Sequence, residues 1–311
     1  MSRTCAALAL LGLLLTLTAC GGTEEGGDAA HAERSTSGDV TLVAPKWAGP
    51  YLRKQGPEGA AVMATSDYAV GANRVSFLLV RANNSLIRAP EADVYYRPDE
   101  GGSTRRALAR LLPIGVGEST AADEVKEIYV ARLDFSATGK HWIVVQPRGA
   151  SFQGFQILEV KENAEAVAIG EPAPRSDNPT TETLPAERIT TARPPDTALL
   201  RYSVAESLDD RVPFVVAFAT PAYCESRTCG PTVDVVEAAR RRYERRGIRF
   251  IHVEIYENNV PGNGLNRWVK EWRLPTEPWV YVVDRTGTVR DRFEGAVSLD
   301  ELVRSIRERL L

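Results

Sequence analysis

Cys224 and Cys229 are the residues of this chain whose types and spacing best support chemistry. They stand five positions apart, where the apolar run Pro213-Phe214-Val215-Val216-Ala217-Phe218-Ala219 gives way to Cys229-Gly230-Pro231. Two neighbouring thiols can exchange with a disulfide: one thiolate attacks a sulfur of the target, and the second thiol releases the product by closing an internal bond. The attacking sulfur needs exposure and a favoured thiolate, and the unpaired N–H groups at a helix start favour an anion. Inside a regular helix, residues five apart sit about 140° round the axis, too distant for a disulfide. Pro231 is suited to the first helical position, which puts the helix start near Gly230 and leaves the pair in the loop before it. Cys224, nearer the strand end, is read as the nucleophile and Cys229 as the resolving thiol. Of the residues between them, Arg227 adds positive potential and Glu225 opposes it.

The chain of 311 residues has two further cysteines. Cys5 belongs to an N-terminal segment with one positive charge, Arg3, and an apolar core from Ala6 to Leu17. That is the order of a secretory signal, and the run is short for a membrane span. Leu17-Thr18-Ala19-Cys20 resembles the bacterial lipobox. The resemblance implies a signal peptide over residues 1–19 and a lipid on Cys20, which holds the protein to the outer face of the cytoplasmic membrane. The alternative is an ordinary signal peptide cleaved elsewhere. Residues 20–39, with no large apolar side chain between Gly21 and Gly38, read as a flexible tether. In that compartment disulfides persist, so the pair can be structural or catalytic.

Composition narrows the partners. With 38 basic and 41 acidic residues interspersed, nothing argues for nucleic acid or a strongly charged substrate. Three histidines, His31, His141 and His252, give no serine–histidine–aspartate set. The charged stretch Arg240–Arg246 reads as a solvated helix face rather than a lipid-headgroup site, and Gly262-Asn263-Gly264 as a turn.

The elements that must hold the pair follow from the pattern. From residue 40 to 165, short β-branched and aromatic runs alternate with turn residues: Arg74–Val80, Ala92–Arg97, Glu127–Phe135, His141–Gln146 and Phe155–Lys161. Only Arg105–Leu112 has helical periodicity. Strands at this spacing suggest an all-β, immunoglobulin-like sandwich, with Trp142 in its core. Residues 166–196 collect six prolines among polar residues and are expected to be a stiff linker. Residues 197–311 then read strand (Phe214–Ala219), helix (Pro231–Arg246), strand (Ile248–Tyr256), helix (Leu265–Trp272), a hairpin (Trp279–Asp284 with Val289–Glu294) and a closing helix (Leu299–Leu310) capped by Ser298.

That order, with cysteines at the carboxyl end of the first strand, resembles the α/β thioredoxin-like superfamily. So does Glu277-Pro278-Trp279-Val280-Tyr281-Val282-Val283-Asp284, where Asp284 follows the proline by six residues as in membrane-anchored bacterial relatives. The resemblance implies a cis-proline at Pro278 that, with Glu277, forms a substrate platform beside the cysteines. It implies thiol–disulfide exchange with extracytoplasmic protein thiols or disulfides, apo-cytochromes among them, without a cofactor. Two departures stand out. Four residues rather than two separate the cysteines, and the strand before them lacks the buried carboxylate that serves thioredoxins as acid–base helper. A peroxiredoxin-like thiol peroxidase would want Thr three residues before the nucleophile, where Pro221 stands, with Thr220 one position further. A Sco-like copper module would want a distal histidine, and His252, inside the second strand, reads as structural. A closed zinc site wants four ligands, so no metal is assigned. A purely structural disulfide is the remaining alternative.

Overall fold

The computed structural model describes residues 34–37, 40–43, 59–99, 101–116, 125–224 and 227–311. The expected signal peptide, Cys20 with its expected lipid, His31 and Glu225 lie outside the described residues. The end of the expected tether carries backbone pairing, strand β1 (Arg34–Ser37) running antiparallel to β2 (Val40–Val43).

Eight strands form one sheet: β3 (Gly59–Met63), β4 (Tyr68–Ala69), β5 (Gly71–Arg81), β6 (Glu91–Pro98), β7 (Arg105–Pro113), β8 (Glu127–Phe135), β9 (Gly139–Pro147) and β10 (Gly154–Lys161). The spatial order is β3-β5-β8-β7-β6-β9-β10-β4, antiparallel except for β10 with β4. An immunoglobulin-like sandwich would divide these strands between two sheets; here the ladder runs through all eight. The sheet curls until the Gln156 amide on β10 reaches the Ala61 carbonyl on β3 at 3.4 Å. Period-two alternation explains both faces. Tyr129, Ala131, Leu133 and Phe135 of β8 point into the curl with Phe77, Ile143 and Leu158, whereas Ile128 and Val130 join a second cluster with Ile114 and Ala296 outside it. Trp142 is buried, its indole N–H donating to Asp99 at 2.7 Å.

Arg105–Leu112, expected as helical, is strand β7. Its Ala and Leu residues favour a helix only locally. Pairing with β6 and β8 overrides that preference, and the exposed Arg105 and Arg106 meet Asp134 and Asp93 on the neighbouring strands.

The second body is a four-stranded sheet ordered β12-β11-β13-β14, built from β11 (Phe214–Phe218), β12 (Arg249–Val253), β13 (Trp279–Val283) and β14 (Val289–Glu294). β11 runs parallel to β12 and antiparallel to β13. Every residue of β11 and β13 is buried, as central strands covered on both faces require. Helices α3 (Cys229–Tyr243) and α5 (Leu299–Arg309) cover one face through Val235, Val236, Leu302 and Ile306. The other face lies under α2 (Val204–Asp209), α4 (Arg267–Glu271) and Trp272. Helix α2, preceded by the four-residue α1 (Ala186–Ile189), starts at Ser203 with a reciprocal capping box to Glu206.

The proline-rich stretch 166–196 is part of this body, not a linker between bodies. Ala166, Val167 and Ala173 are buried in the same core as Trp272 and Tyr281. Gly170 N–H donates to Val289 O and Val289 N–H to Glu171 O, so the stretch pairs along the exposed edge of β14. Prolines 172 and 174 donate no hydrogen bond, which suits an edge-lying segment.

The two bodies meet through buried charge. Arg74 on β5 holds Glu301 on α5 at 2.9 Å, the side chains only 5% and 7% exposed. Arg292 on β14 holds Asp67 at 2.9 Å. The Glu294 carboxylate accepts from the backbone N–H groups of Ser66 and Asp67 and from the Ser66 hydroxyl. Gly295 (φ +71°) lets the chain pass Ala64, whose carbonyl oxygen would stand 2.6 Å from any Cβ placed there.

Candidate active site at the cysteine pair

Strand β11 ends at Phe218, and Ala219 N–H continues its ladder to Val253 O before the chain leaves the sheet. The loop that follows is tied down at several points. Ala222 N–H donates to the Thr191 hydroxyl, which itself donates to Glu254. The exposed Tyr223 ring packs edge-on against Tyr256 at 6.5 Å. A turn closes with Arg227 N–H on Cys224 O, Arg227 taking a left-handed φ of +57°. Thr228 then caps the helix, its carbonyl accepting the first helical bond from Thr232. Helix α3 therefore starts at Cys229, two residues before Pro231, whose missing N–H falls in the first turn where no partner is needed. Gly115, at the β7–β8 end of the other body, faces Pro231 closely: a Cβ at Gly115 would stand 3.4 Å from the proline's own.

This geometry brings the sulfurs together. Cys224 is half-buried in the loop and Cys229 fully buried at the first helical position. The Cys229 backbone N–H donates to Cys224 Sγ at 3.2 Å, so a helix-terminal amide faces that sulfur. No disulfide joins the two cysteines. The Cys229 thiol is pushed far above its ordinary range, first by its hydrogen bond with Cys224, then by burial and by the charges of Cys224 and Glu277. Of the two thiols, the accessible one sits against a helix N–H and the buried one retains its proton.

Glu277 and Pro278 complete the site. The Glu277–Pro278 peptide bond is cis. Half-buried Glu277 directs a carboxylate oxygen to within 4.8 Å of both sulfurs. The platform residue expected at Glu277 is thus an acid beside the thiols, at the start of the strand next to the one that lacks a carboxylate. The residues behind it carry no motif: Thr276 donates to Glu294 at 2.8 Å and accepts from the Trp279 indole at 3.1 Å, while Gly295 N–H holds Pro278 O at 2.8 Å. A lone acid before a proline in an otherwise apolar stretch is the only sequence signal for Glu277; the buttress has none, because Ser66 and Glu294 are 228 positions apart.

His252 is buried beneath the loop, with Nε2 3.0 Å from Ala219 O and Nδ1 3.4 Å from the Thr190 hydroxyl. Both ring nitrogens are occupied in positioning, away from the sulfurs' own contacts. His141 is buried in the eight-stranded sheet against Phe135, and burial lowers its pKa. Beyond Tyr256 a cavity of about 90 Å³ opens between His252, Glu254 and Trp268.

No protein family, curated protein or solved structure matches the chain.

Proposed function

We propose that the protein is a membrane-anchored, extracytoplasmic thiol–disulfide oxidoreductase, with residues 197–311 forming a thioredoxin-like domain against which residues 166–196 pack. The observation that carries the reading is the adjacent, unbridged pair Cys224 and Cys229, joined by a 3.2 Å N–H to sulfur contact at a helix start beside a cis-prolyl loop. The lipid anchor at Cys20 rests on the lipobox resemblance alone.

The exchange divides between the two sulfurs. The Cys224 thiolate attacks a client disulfide, forming a mixed disulfide and expelling one client thiolate, which takes up the proton Cys224 released. Cys229 then gives its proton to the Glu277 carboxylate and attacks Cys224 Sγ. The second client sulfur leaves and receives that proton from Glu277. One client disulfide becomes two thiols, and the protein dithiol becomes a disulfide. With no carboxylate on β11, Glu277, just before the neighbouring strand β13, fills the acid–base role.

Insulin reduction by the full-length protein in detergent tests the reading. Activity should fall at least 100-fold in Cys224→Ser, and hydrogen peroxide should be consumed no faster than by free cysteine. Unchanged reduction in that variant removes the nucleophile assignment; rapid peroxide turnover replaces the reading with a thiol peroxidase. Separately, Cys20→Ala should release the protein from the membrane fraction, and retention there contradicts the anchor.

A further inference from the structure

We propose that the reduced pair and Glu277 form a three-ligand site for a borderline divalent cation, zinc by its chemistry, whose occupancy switches exchange off. Metal binding needs only that both sulfurs be reduced, whereas its effect on exchange rests on the oxidoreductase reading.

Cys224 Sγ, Cys229 Sγ and a Glu277 carboxylate oxygen lie within 4.8 Å of one another. Among the described residues, no other group of three such side chains comes so close. A tetrahedral zinc with bonds of about 2.3 Å to sulfur and about 2.0 Å to oxygen holds its ligand atoms roughly 3.5–3.8 Å apart. Closure therefore needs a movement on the order of one ångström, within reach of side-chain rotation in two loops. The ligand types select the ion. Thiolates exclude magnesium and calcium, which want oxygen throughout, and a carboxylate adds nothing for soft copper(I). Two thiolates with one carboxylate suit zinc. The Cys229 N–H on Cys224 Sγ orients one ligand from behind, as outer hydrogen bonds do in metal centres.

Cys224 and Glu277 are both half-buried, so the fourth position faces solvent and would take water. Three protein ligands and one open position mark an exchangeable site rather than a closed structural one. Coordination and disulfide formation exclude each other, because a metal-bound thiolate does not attack and a disulfide offers no thiolate. Zinc would thus hold the pair reduced and silent until removed.

The test uses cobalt(II) as a visible stand-in, added anaerobically to the reduced full-length protein. One equivalent should produce thiolate-to-cobalt charge-transfer absorption, which one equivalent of zinc abolishes. Glu277→Gln, nearly isosteric and half-exposed, should weaken zinc at least about tenfold, and Cys229→Ser should remove the charge-transfer band. Zinc should inhibit wild-type insulin reduction at the concentration that displaces cobalt, and EDTA should restore it. Cobalt spectra without thiolate bands, or zinc affinity unchanged in Glu277→Gln, overturn the site. Activity in EDTA is read separately: if it is present while zinc fails to bind, the metal site alone falls.

Discussion

At the scale of single residues, the division of labour between the cysteines comes from their surroundings. Cys224 meets solvent and a helix-terminal amide, while Cys229 is buried in the core with Val233, Ala217 and Ala219. A sulfur so buried can become a nucleophile only if its proton has a nearby acceptor, and Glu277 is within reach of it. Glu277→Gln should leave formation of the mixed disulfide nearly intact and slow its resolution on the order of 100-fold, the low end of general acid–base contributions. Rapid-quench alkylation would show the mixed disulfide accumulating on Cys224. Equal slowing of both steps would count against the proton-acceptor role. The cysteines and Pro278 were legible in the sequence because each belongs to a local pattern. Glu277 as an acid was not, since its nearness to the sulfurs is set by how β13 lies beside β11.

At the scale of elements, local patterns were legible where burial and periodicity agree. The uninterrupted apolar run 214–218 became the doubly covered strand β11, and Ser298 became the N-cap of α5 with its capping box to Glu301. Two elements went the other way for one reason: a partner distant in sequence decided them. Strand β7 is made by β6 and β8, and residues 170–173 are drawn to the edge of β14. Helix α3 starts two residues earlier than Pro231 suggests, because Thr228 already offers its carbonyl to Thr232. The turn after β14 gives a direct check on element packing. Gly295 has φ +71° and an oxygen 2.6 Å from where a Cβ would stand, so Gly295→Val meets both backbone strain and a clash. Urea unfolding should show a loss of several kcal/mol, together with slower exchange because Gly295 N–H also holds Pro278 O. A variant as stable and as active as wild type would mean that this turn is not tightly packed.

At the scale of the whole molecule, the eight-stranded sheet is joined to the cysteine-bearing body by charges that neither body satisfies alone. Burial by itself would raise the Glu301 carboxyl; the charge and hydrogen bonds of Arg74, with those from Ser298, more than offset it and hold the group below the usual carboxylate range. A depressed folded-state value gives stability that is present above the unfolded carboxyl range, about pH 4.3, and is lost as pH falls through the folded value. Arg74→Ala, which leaves Glu301 buried without its partner, should cost about 3–5 kcal/mol at pH 7. That gap should begin to narrow above about pH 4.3, where the buried, unpaired Glu301 of the variant takes up a proton, and should close further as pH falls through the lowered wild-type value. Urea midpoints measured across the range from neutral to acid would show it, and a constant gap would contradict the buried-pair account. The same interface reaches the site: Ser66 and Asp67 grip Glu294, which takes the Thr276 hydroxyl next to Glu277. In this way the eight-stranded sheet serves as the backing of the Glu277–Pro278 loop.

The central claim is that Cys224 and Cys229 exchange two thiols for one bond within a single chain. Equilibration of the full-length protein in graded dithiothreitol redox buffers, followed by acid quench, alkylation and peptide mass analysis, reads this directly. The account predicts one two-electron transition in which both cysteines change together, with a Cys224–Cys229 linked peptide at the oxidised end. Cysteines that alkylate independently across all buffers, or that link only between molecules, would contradict it.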